Sequence, residues 1–574
     1  MFIPTTADEL KKLGWTRLDV IIVSGDTYID SYYDGAALIG KILINAGYKV
    51  GIIAQPDIDT DTDIIRLGEP ALFWGVTGGC VDSMVANYTA LKKKKRSDDL
   101  TPGGENNKRP DRAVIAYCNL IKKYFKSSKP IVIGGVEASL RRIAHYDYWD
   151  DSVRRSVLFD SKANVLVYGM ADRAITELAE KIKNGENMQS VRGLCYISKE
   201  KPEIFIDKKK NKRIEYIELP SFEAVKTDKN KFIQMFHEFY KNNDPLNANG
   251  LIQKHGDRYL VQNPPSYHLT SSELDIIYEM DFERDVHPYY KRMGKVTALD
   301  TIKFSITSQR GCYGECNFCS ITVHQGRIVI SRSEGSILKE AEKLTKLKGF
   351  KGYISDIGGP TANMYGNSCK KQMKTGSCKD KRCLSPDRCV LMDINHDKQI
   401  NLLKKLRQIH SIKKVFIGSG LRYDLVVEDL KSGEKYLSDI ITHHISGQMK
   451  IAPEHSTDKV LKLMAKPTGS TLSRFIRKFY EINKKTGLKQ YLTYYFIAAH
   501  PGCEYEDMEE LSKFISKEIK FDPEQVQVFT PTPSTYSTLM YYTGTDPFTN
   551  KTIFVETGLK EKRKQKDAIM STSS

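Results

Sequence analysis

A chain of 574 residues, 40% of them hydrophobic and 28% charged, is long enough for two to four domains and buries a large core without cross-links. Its 39 Gly and 21 Pro make up about a tenth of the chain, which excludes collagen-like, disordered and disulfide-scaffold classes. The 88 Lys and Arg against 71 Asp and Glu give a net charge of +17, a mild excess that admits acidic or nucleic-acid partners without requiring one. The opening segment has no apolar core of the kind a secretory signal carries, and no window approaches 18 consecutive apolar residues. The expectation is a cytoplasmic protein without membrane association.

Over residues 1–221, apolar runs alternate with helical stretches. Asp19 to Gly25, Lys49 to Gln55, Ala71 to Gly79, Pro130 to Ser139 and Asn164 to Met170 read as strands. Ala36, Ile39, Ile42, Leu43 and Ala46 recur at helical spacing between the first two, with Gly47 as a stop, so the unit is a right-handed βαβ and the class is α/β with an open sheet. Gly35 to Ile42 imitates a phosphate-binding loop, but Ile42 stands where a Mg2+-binding hydroxyl belongs and the intervening residues are apolar; it reads as an ordinary helix. Lys92 to Asp111 is polar and interrupted by Gly and Pro, and is expected to be a mobile loop.

Between 222 and 295 the strand rhythm stops, and the segment reads as a partly helical connector. The alternation resumes over 296–545, with strands at Thr301 to Ser308, Gly352 to Gly359, Lys414 to Gly420, Ile445 to His455, Tyr491 to Gly502 and Val526 to Pro533. Ile337, Leu338, Ala341 and Leu344 mark one intervening helix; Leu472, Phe475, Ile476 and Phe479 mark another. A six-unit (βα) partial barrel follows. Residues 546–574 form a basic tail, read as a solvated end.

Seven of the eleven cysteines fall between 312 and 389, a crowding that in a reducing compartment signals metal ligation rather than disulfides. Cys312, Cys316 and Cys319 form a CX3CX2C loop just after the first barrel strand. Three thiolates can hold three corners of a cubane and leave one metal position open, whereas a structural zinc needs a fourth protein ligand. Gly311 and Gly314 allow a tight turn around such a cluster, and Phe318 supplies an apolar wall. A second group, Cys369, Cys378, Cys383 and Cys389, lies in a Lys-rich insertion at 366–392 with almost no apolar residues; it would close a zinc site or hold an auxiliary iron-sulfur cluster, or stay free.

The CX3CX2C loop at the end of a barrel strand is similar to that of the radical S-adenosylmethionine (SAM) superfamily. The stretches Ser308 to Arg327, Asp356 to Gly366, Lys450 to Ser456, Ala498 to Gly502 and Phe529 to Thr535, with Ser24 to Gly35 and Ile52 to Asp57, resemble the YgiQ-type radical SAM proteins over nearly the whole chain. The resemblance implies that relatives usually continue into a further C-terminal extension, and the expectation is that this chain does without it. The resemblance implies that Cys312, Cys316 and Cys319 ligate a [4Fe-4S] cluster whose fourth iron binds SAM, and that reductive cleavage gives a 5'-deoxyadenosyl radical acting on an unknown substrate. It further implies that Gly358, Gly359 and Pro360 meet the SAM amine, and that an electron donor such as flavodoxin or ferredoxin serves as partner. Arg422 and Glu454, at strand ends, are candidates for the SAM carboxylate and a ribose hydroxyl.

The N-terminal domain resembles a cobalamin-binding fold. Tyr28 and Ser31 replace the His and Gly of the usual cobalt-ligating signature, which excludes histidine ligation there and disfavours cobalamin. Asp26, Tyr28, Asp34, Glu137 and Arg141, at strand ends of this domain, are expected to line a chamber shared with the barrel mouth. The rival reading is a non-catalytic iron-sulfur or zinc protein that binds RNA through Lys92 to Arg96, Lys208 to Arg213 and Lys560 to Lys566; its support is charge alone.

Overall fold

The computed structural model describes residues 1–520, 523 and 525–570. The chain divides into two compact units, Met1–His268 with Met280–Lys303, and Leu269–Glu279 with the chain from Phe304 onward. Among the described residues no helix is long and apolar enough to cross a membrane.

The first unit is built on β1 (Val20–Ser24), β2 (Val50–Ala54), β3 (Phe73–Thr77), β4 (Ile131–Gly134) and β5 (Val165–Val167), all parallel in the order β2-β1-β3-β4-β5. Every residue of β1 and β2 is buried, as a parallel strand covered on both faces requires. This is a doubly wound arrangement whose switch point lies between β1 and β3. The sheet then continues through β6 (Leu194–Ser198), β7 (Ile204–Asp207), β8 (Lys212–Leu219), β9 (Gly250–His255) and β10 (Arg258–Gln262), to give ten strands in the order β2-β1-β3-β4-β5-β6-β10-β9-β8-β7.

The segment 222–295 is therefore more than a connector. Its β9 and β10 extend the N-terminal sheet, β10 pairing antiparallel with β6. Buried polar side chains masked them: Gln253 accepts from the Ala144 N–H (2.9 Å) and donates to the Pro220 carbonyl (3.0 Å), so a position that breaks the apolar run is satisfied by other elements.

The insertion Lys92 to Asp111 also differs from expectation. It is anchored rather than loose, because Arg109 is buried against Asp26 at the end of β1 and against Asp98 at 3.1 Å, while Thr101 accepts from Gln55 at 2.7 Å. Ion pairs and hydrogen bonds do here what apolar packing does elsewhere. The other strand-end residues of this domain are likewise internally bonded. Tyr28 donates to Asp30 (2.9 Å), Glu137 accepts from the N–H groups of Ser83 and Val114 (3.0 and 3.1 Å), and Arg141 pairs with Asp82.

Asp34 caps α1 (Gly35–Asn45), accepting from the Ala36 N–H at 2.9 Å. The phosphate-loop mimic is thus a buried helix, and Lys41 is spent on Asp30 and the Met1 and Asp281 carbonyls. Burial, with Asp26 nearby, pushes the Asp34 carboxyl up to about 8. A folded-state value above the unfolded one means that the folded protein binds the proton more tightly. Its contribution is present in full below about pH 4 and is lost as pH rises through about 8. Asp34→Asn should flatten this fall, so that urea midpoints of variant and parent converge near pH 4, begin to part by pH 6 and are furthest apart at pH 9, in favour of Asn. A parent no more sensitive than the variant over that span would contradict a protonated cap.

In the second unit six strands follow one another in parallel: β11 (Ser305–Thr307), β12 (Asp356–Gly358), β13 (Lys414–Val415), β14 (Gln448–Glu454), β15 (Tyr491–Ala498) and β16 (Gln525–Val528). Ladders join β11 to β12, β14 to β15 and β15 to β16. The remaining junctions are looser. The Ile357 N–H donates to the Phe416 carbonyl at 3.1 Å, and Leu421 makes a parallel bridge to Ile451. Among the described residues no ladder returns from β16 to β11, so the barrel is open. Between strands, α2 (Glu334–Thr345) and α3 (Gly469–Thr486) bury Ile337, Ala341 and Leu344, and Leu472, Phe475, Ile476 and Phe479, in the core at the spacing the sequence showed.

The tail also departs from expectation. α4 (Leu559–Asp567) packs on the barrel: Gln565 accepts from the Ala499 N–H (3.0 Å) and donates to the Cys503 carbonyl (3.2 Å), Lys562 donates to the Tyr541 hydroxyl (2.8 Å), and Ile569 is fully buried. A polar helix reads as solvated until the strand end whose backbone groups it satisfies is known.

Candidate metal centre

The CX3CX2C loop leaves β11 through a short antiparallel pairing of Gln309–Arg310 with Ile330–Ser331. Gly311 then takes φ +85°, and a Cβ there would stand 2.1 Å from the Ile328 carbonyl oxygen. The Cys312 N–H donates to the Gly326 carbonyl (3.1 Å) and the Cys319 N–H to the Cys316 carbonyl (3.0 Å), which coils the three cysteines into one tight turn. Burial, then the neighbouring Cys316 and Cys312, pushes the Cys319 thiol up to about 12; burial and Cys316 likewise raise Cys312. The Gly314 N–H, inside the turn, points at the Cys312 sulfur at 3.4 Å. Among the described residues no three His, Cys, Asp or Glu side chains enclose a single metal ion. A cubane asks for something different, one thiolate at each of three separate irons.

The loop is gripped from several sides. Arg422, after β13, donates through Nη1 to the Cys316 sulfur at 3.4 Å, while its Nε and Nη2 hold Asp424 at 2.9 and 2.6 Å. A Cβ on Gly314 would lie 2.6 Å from Arg422 Nη1 and 3.2 Å from the Cys312 sulfur, so this glycine makes room for the guanidinium. Within the loop Glu315 (φ +47°) is buried against Arg327 at 3.1 Å.

Sequence reasoning missed what places Arg422. Asn363 accepts from the Arg422 N–H (2.9 Å) and donates to its carbonyl (3.0 Å), clamping that residue's backbone as a neighbouring strand would. The Asn363 amide also meets His396 Nε2 at 3.1 Å, and His396 Nδ1 meets Asp429 at 2.7 Å. One tautomer satisfies all three groups: Nδ1–H donates to the carboxylate and Nε2 accepts from the amide. Asn363 lies in the Asp356 to Gly366 stretch, but no spacing rule marks an asparagine that acts on another residue's backbone.

Backbone strain gathers at the ends of β14 and β15 and in the loop after β16. Glu454, Ala499 and Ser534 all have positive φ (+69°, +56° and +64°), a conformation that non-glycine residues hold only when surroundings enforce it. Glu454 is buried, its carboxylate 3.8 Å from Lys466, and burial raises it to about 7 against the pull of Lys466 and Arg422. Neighbouring His455 and His500 are fully buried, and burial pushes both down to about 3.

The glycine pair is placed as expected but is packed from within. The Gly358 carbonyl already accepts from the Ser308 N–H (2.6 Å) and hydroxyl (3.0 Å), and a Cβ on Gly359 would strike Gln309 at 2.8 Å. Pro360 beside them is half-buried. Ser419 is tied through its N–H to Asp356 at 3.0 Å. Of the second cysteine group, Cys369 and Cys383 are buried and Cys389 packs against the same small cluster; Cys378 is half-buried.

Residues 2–305 match the family model described as Radical SAM N-terminal, and 524–571 match a domain of unknown function, DUF3362. A UPF0313 protein of Fusobacterium nucleatum is 56% identical over 99% of this chain and 98% of its own length. One of Thermotoga neapolitana is 48% identical over 99% and 98%. The chain is a radical SAM protein of the UPF0313 family. A UPF0313 protein of Clostridium botulinum, 47% identical, is matched over 86% of its length, so relatives of this family differ in how far they extend. Among solved structures the chain is similar to the radical S-adenosylmethionine methyltransferase TsrM of Kitasatospora setae, at 13% identity and a TM-score of 0.49, over 90% of this chain and 73% of that one.

Proposed function

We propose that this UPF0313 protein is an enzyme in which Cys312, Cys316 and Cys319 hold a [4Fe-4S] cluster that reductively cleaves SAM. The observation that carries the reading is that one hydrogen-bonded turn after the first barrel strand holds all three cysteines, with Cys312 and Cys316 gathered about Gly314 and the Arg422 guanidinium. A cluster bound there would supply one electron to the SAM sulfonium, releasing methionine and a 5'-deoxyadenosyl radical that takes a hydrogen atom from the substrate.

The protein's own groups prepare this place. Burial raises the Cys312 and Cys319 thiols, so loading a metal there must expel their protons. Arg422 brings a buried cation to the Cys316 sulfur, and Asp424 fixes its orientation. With its fork engaged in this way, Arg422 is assigned to the cluster ligand rather than to the SAM carboxylate. Glu454 retains accepting capacity at a strand end and is assigned to a polar group of SAM, while Phe318, next to Cys319 in the chain, packs on the barrel core. A low-potential donor such as flavodoxin or ferredoxin in the cytoplasm would reduce the site; the substrate is open.

Anaerobically reconstituted protein given dithionite and SAM should release 5'-deoxyadenosine, and Cys316→Ala should not. Equal release from both would refute the assignment.

A further inference from the structure

We infer that the cysteines of the 366–392 insertion form a second thiolate-bound metal centre, beside the CX3CX2C loop and distinct from it. Cys369, Cys383 and Cys389 are its assembled part and Cys378 is the remaining ligand.

Besides its cysteines, the insertion gives only Met392 and Leu384 to a small core. Cys369, Cys383 and Cys389 converge on a small apolar cluster made with Tyr313, Val329, Met364, Met392, Ile394 and Leu425, against which Cys312 also packs. A lone buried cysteine serves as a small hydrophobe. Three thiols converging from a segment of Lys, Asp and Ser are a different matter, because a loop this long needs something to order it.

Two polar groups point to sulfur that carries charge. Gln372 Nε2 donates to the Cys383 sulfur at 3.0 Å, and a thiolate or sulfide accepts such a bond far better than a thiol. The Tyr313 hydroxyl, in the same cluster, is buried with no hydrogen-bond partner, which is costly unless something absent from the polypeptide accepts from it. The charge balance agrees. Between 366 and 392 seven Lys and Arg face two Asp, an excess that suits a centre with several thiolates.

The two cysteine groups are mechanically joined. Arg382, next to Cys383, donates to Asn317 Oδ1 at 2.6 Å and to the Glu315 carbonyl at 3.3 Å, between the ligands of the first group. The Cys389 N–H donates to the Cys383 carbonyl at 2.8 Å, which fixes these two thiols on one turn. Among the described residues the thiols do not enclose a single ion. Metal uptake would therefore complete the folding of the insertion.

Metal content separates this centre from the first, whatever becomes of SAM cleavage. A full-length variant with Cys312, Cys316 and Cys319 all changed to Ala is purified anaerobically and assayed for iron, sulfide and zinc. It should retain either about four irons with matching sulfide, or about one zinc. Adding Cys383→Ser should remove that metal; the iron and zinc outcomes identify its kind and both support the site. No bound metal above the Cys383→Ser background would overturn the inference, as would a disulfide among these cysteines in the anaerobic protein. Since Cys383→Ser could unfold the insertion, a second measurement uses the triple variant alone. Chelation should open 366–392 to trypsin, and a tryptic pattern unchanged after metal removal would equally overturn it.

Discussion

Replacing Arg422 with Met should lower stability by about 3–5 kcal/mol, because it strands the buried Asp424 carboxylate. Both side chains are about a tenth exposed or less, so solvent cannot take over the lost partner. Burial would raise the Asp424 carboxyl, and the adjacent guanidinium outweighs that and holds it below its ordinary value. Replacing both residues, Arg422→Met with Asp424→Leu, should recover most of the loss, since an apolar pair of similar volume leaves no charge unpaired. Urea unfolding at pH 7 reads the difference. Equal loss in the single and double variants would show that the pair is not what stabilises this place. The double variant also isolates the contact to Cys316. A hydrogen bond to a ligand sulfur raises a cluster's potential, so a reconstituted double variant should be harder to reduce than the parent in a redox titration followed by electron paramagnetic resonance.

Gly311→Ala is expected to cost on the order of 3 kcal/mol, the sum of a left-handed backbone penalty and overpacking. The obstacle is the Ile328 carbonyl oxygen, 2.1 Å from where the Cβ would stand. Neither side can retreat easily, because the Arg310 to Ile330 pairing and the Cys312 N–H bond to Gly326 hold both strands of the turn. A built-in comparison is Gly335, inside α2, where an added Cβ meets nothing within 4 Å. Gly335→Ala should stabilise by about 0.5–1 kcal/mol. If Gly311→Ala melts with the parent, the turn is not as constrained as its geometry states. If it melts lower, iron uptake at Cys312, Cys316 and Cys319 should fall with it.

The parts of the fold that sequence reasoning reached are those in which the burial pattern is carried by the residues themselves. β1 and β2 are buried at every position and apolar at all but Ser24, and α3 repeats Leu472, Phe475, Ile476 and Phe479 at helical spacing. The parts it missed are those in which polar residues are buried. β9 holds Gln253 inside, the 92–111 insertion holds Thr101 and Arg109, and α4 holds Lys562 and Gln565. Each is satisfied by a group far along the chain, such as Asp26 for Arg109 and Ala499 for Gln565. Without those partners on view, a polar side chain reads as exposed.

The sequence by itself determined which atoms can carry the chemistry. The spacing of Cys312, Cys316 and Cys319 is a covalent property of a short loop, and the order of apolar runs around it dictates a parallel series of strands with that loop at a strand end. Tertiary structure alone decided what those atoms meet. It brought Arg422 across 106 positions to the Cys316 sulfur, set Asn363 as the clamp on Arg422, and filled the space beside Gly359 with Gln309. It also drew Cys369, Cys383 and Cys389 out of an unpatterned segment onto Tyr313. The physical reason is range. Thiol spacing and hydrophobic period act over a few residues and survive in any one-dimensional reading, whereas a hydrogen bond or ion pair selects its partner by position in space.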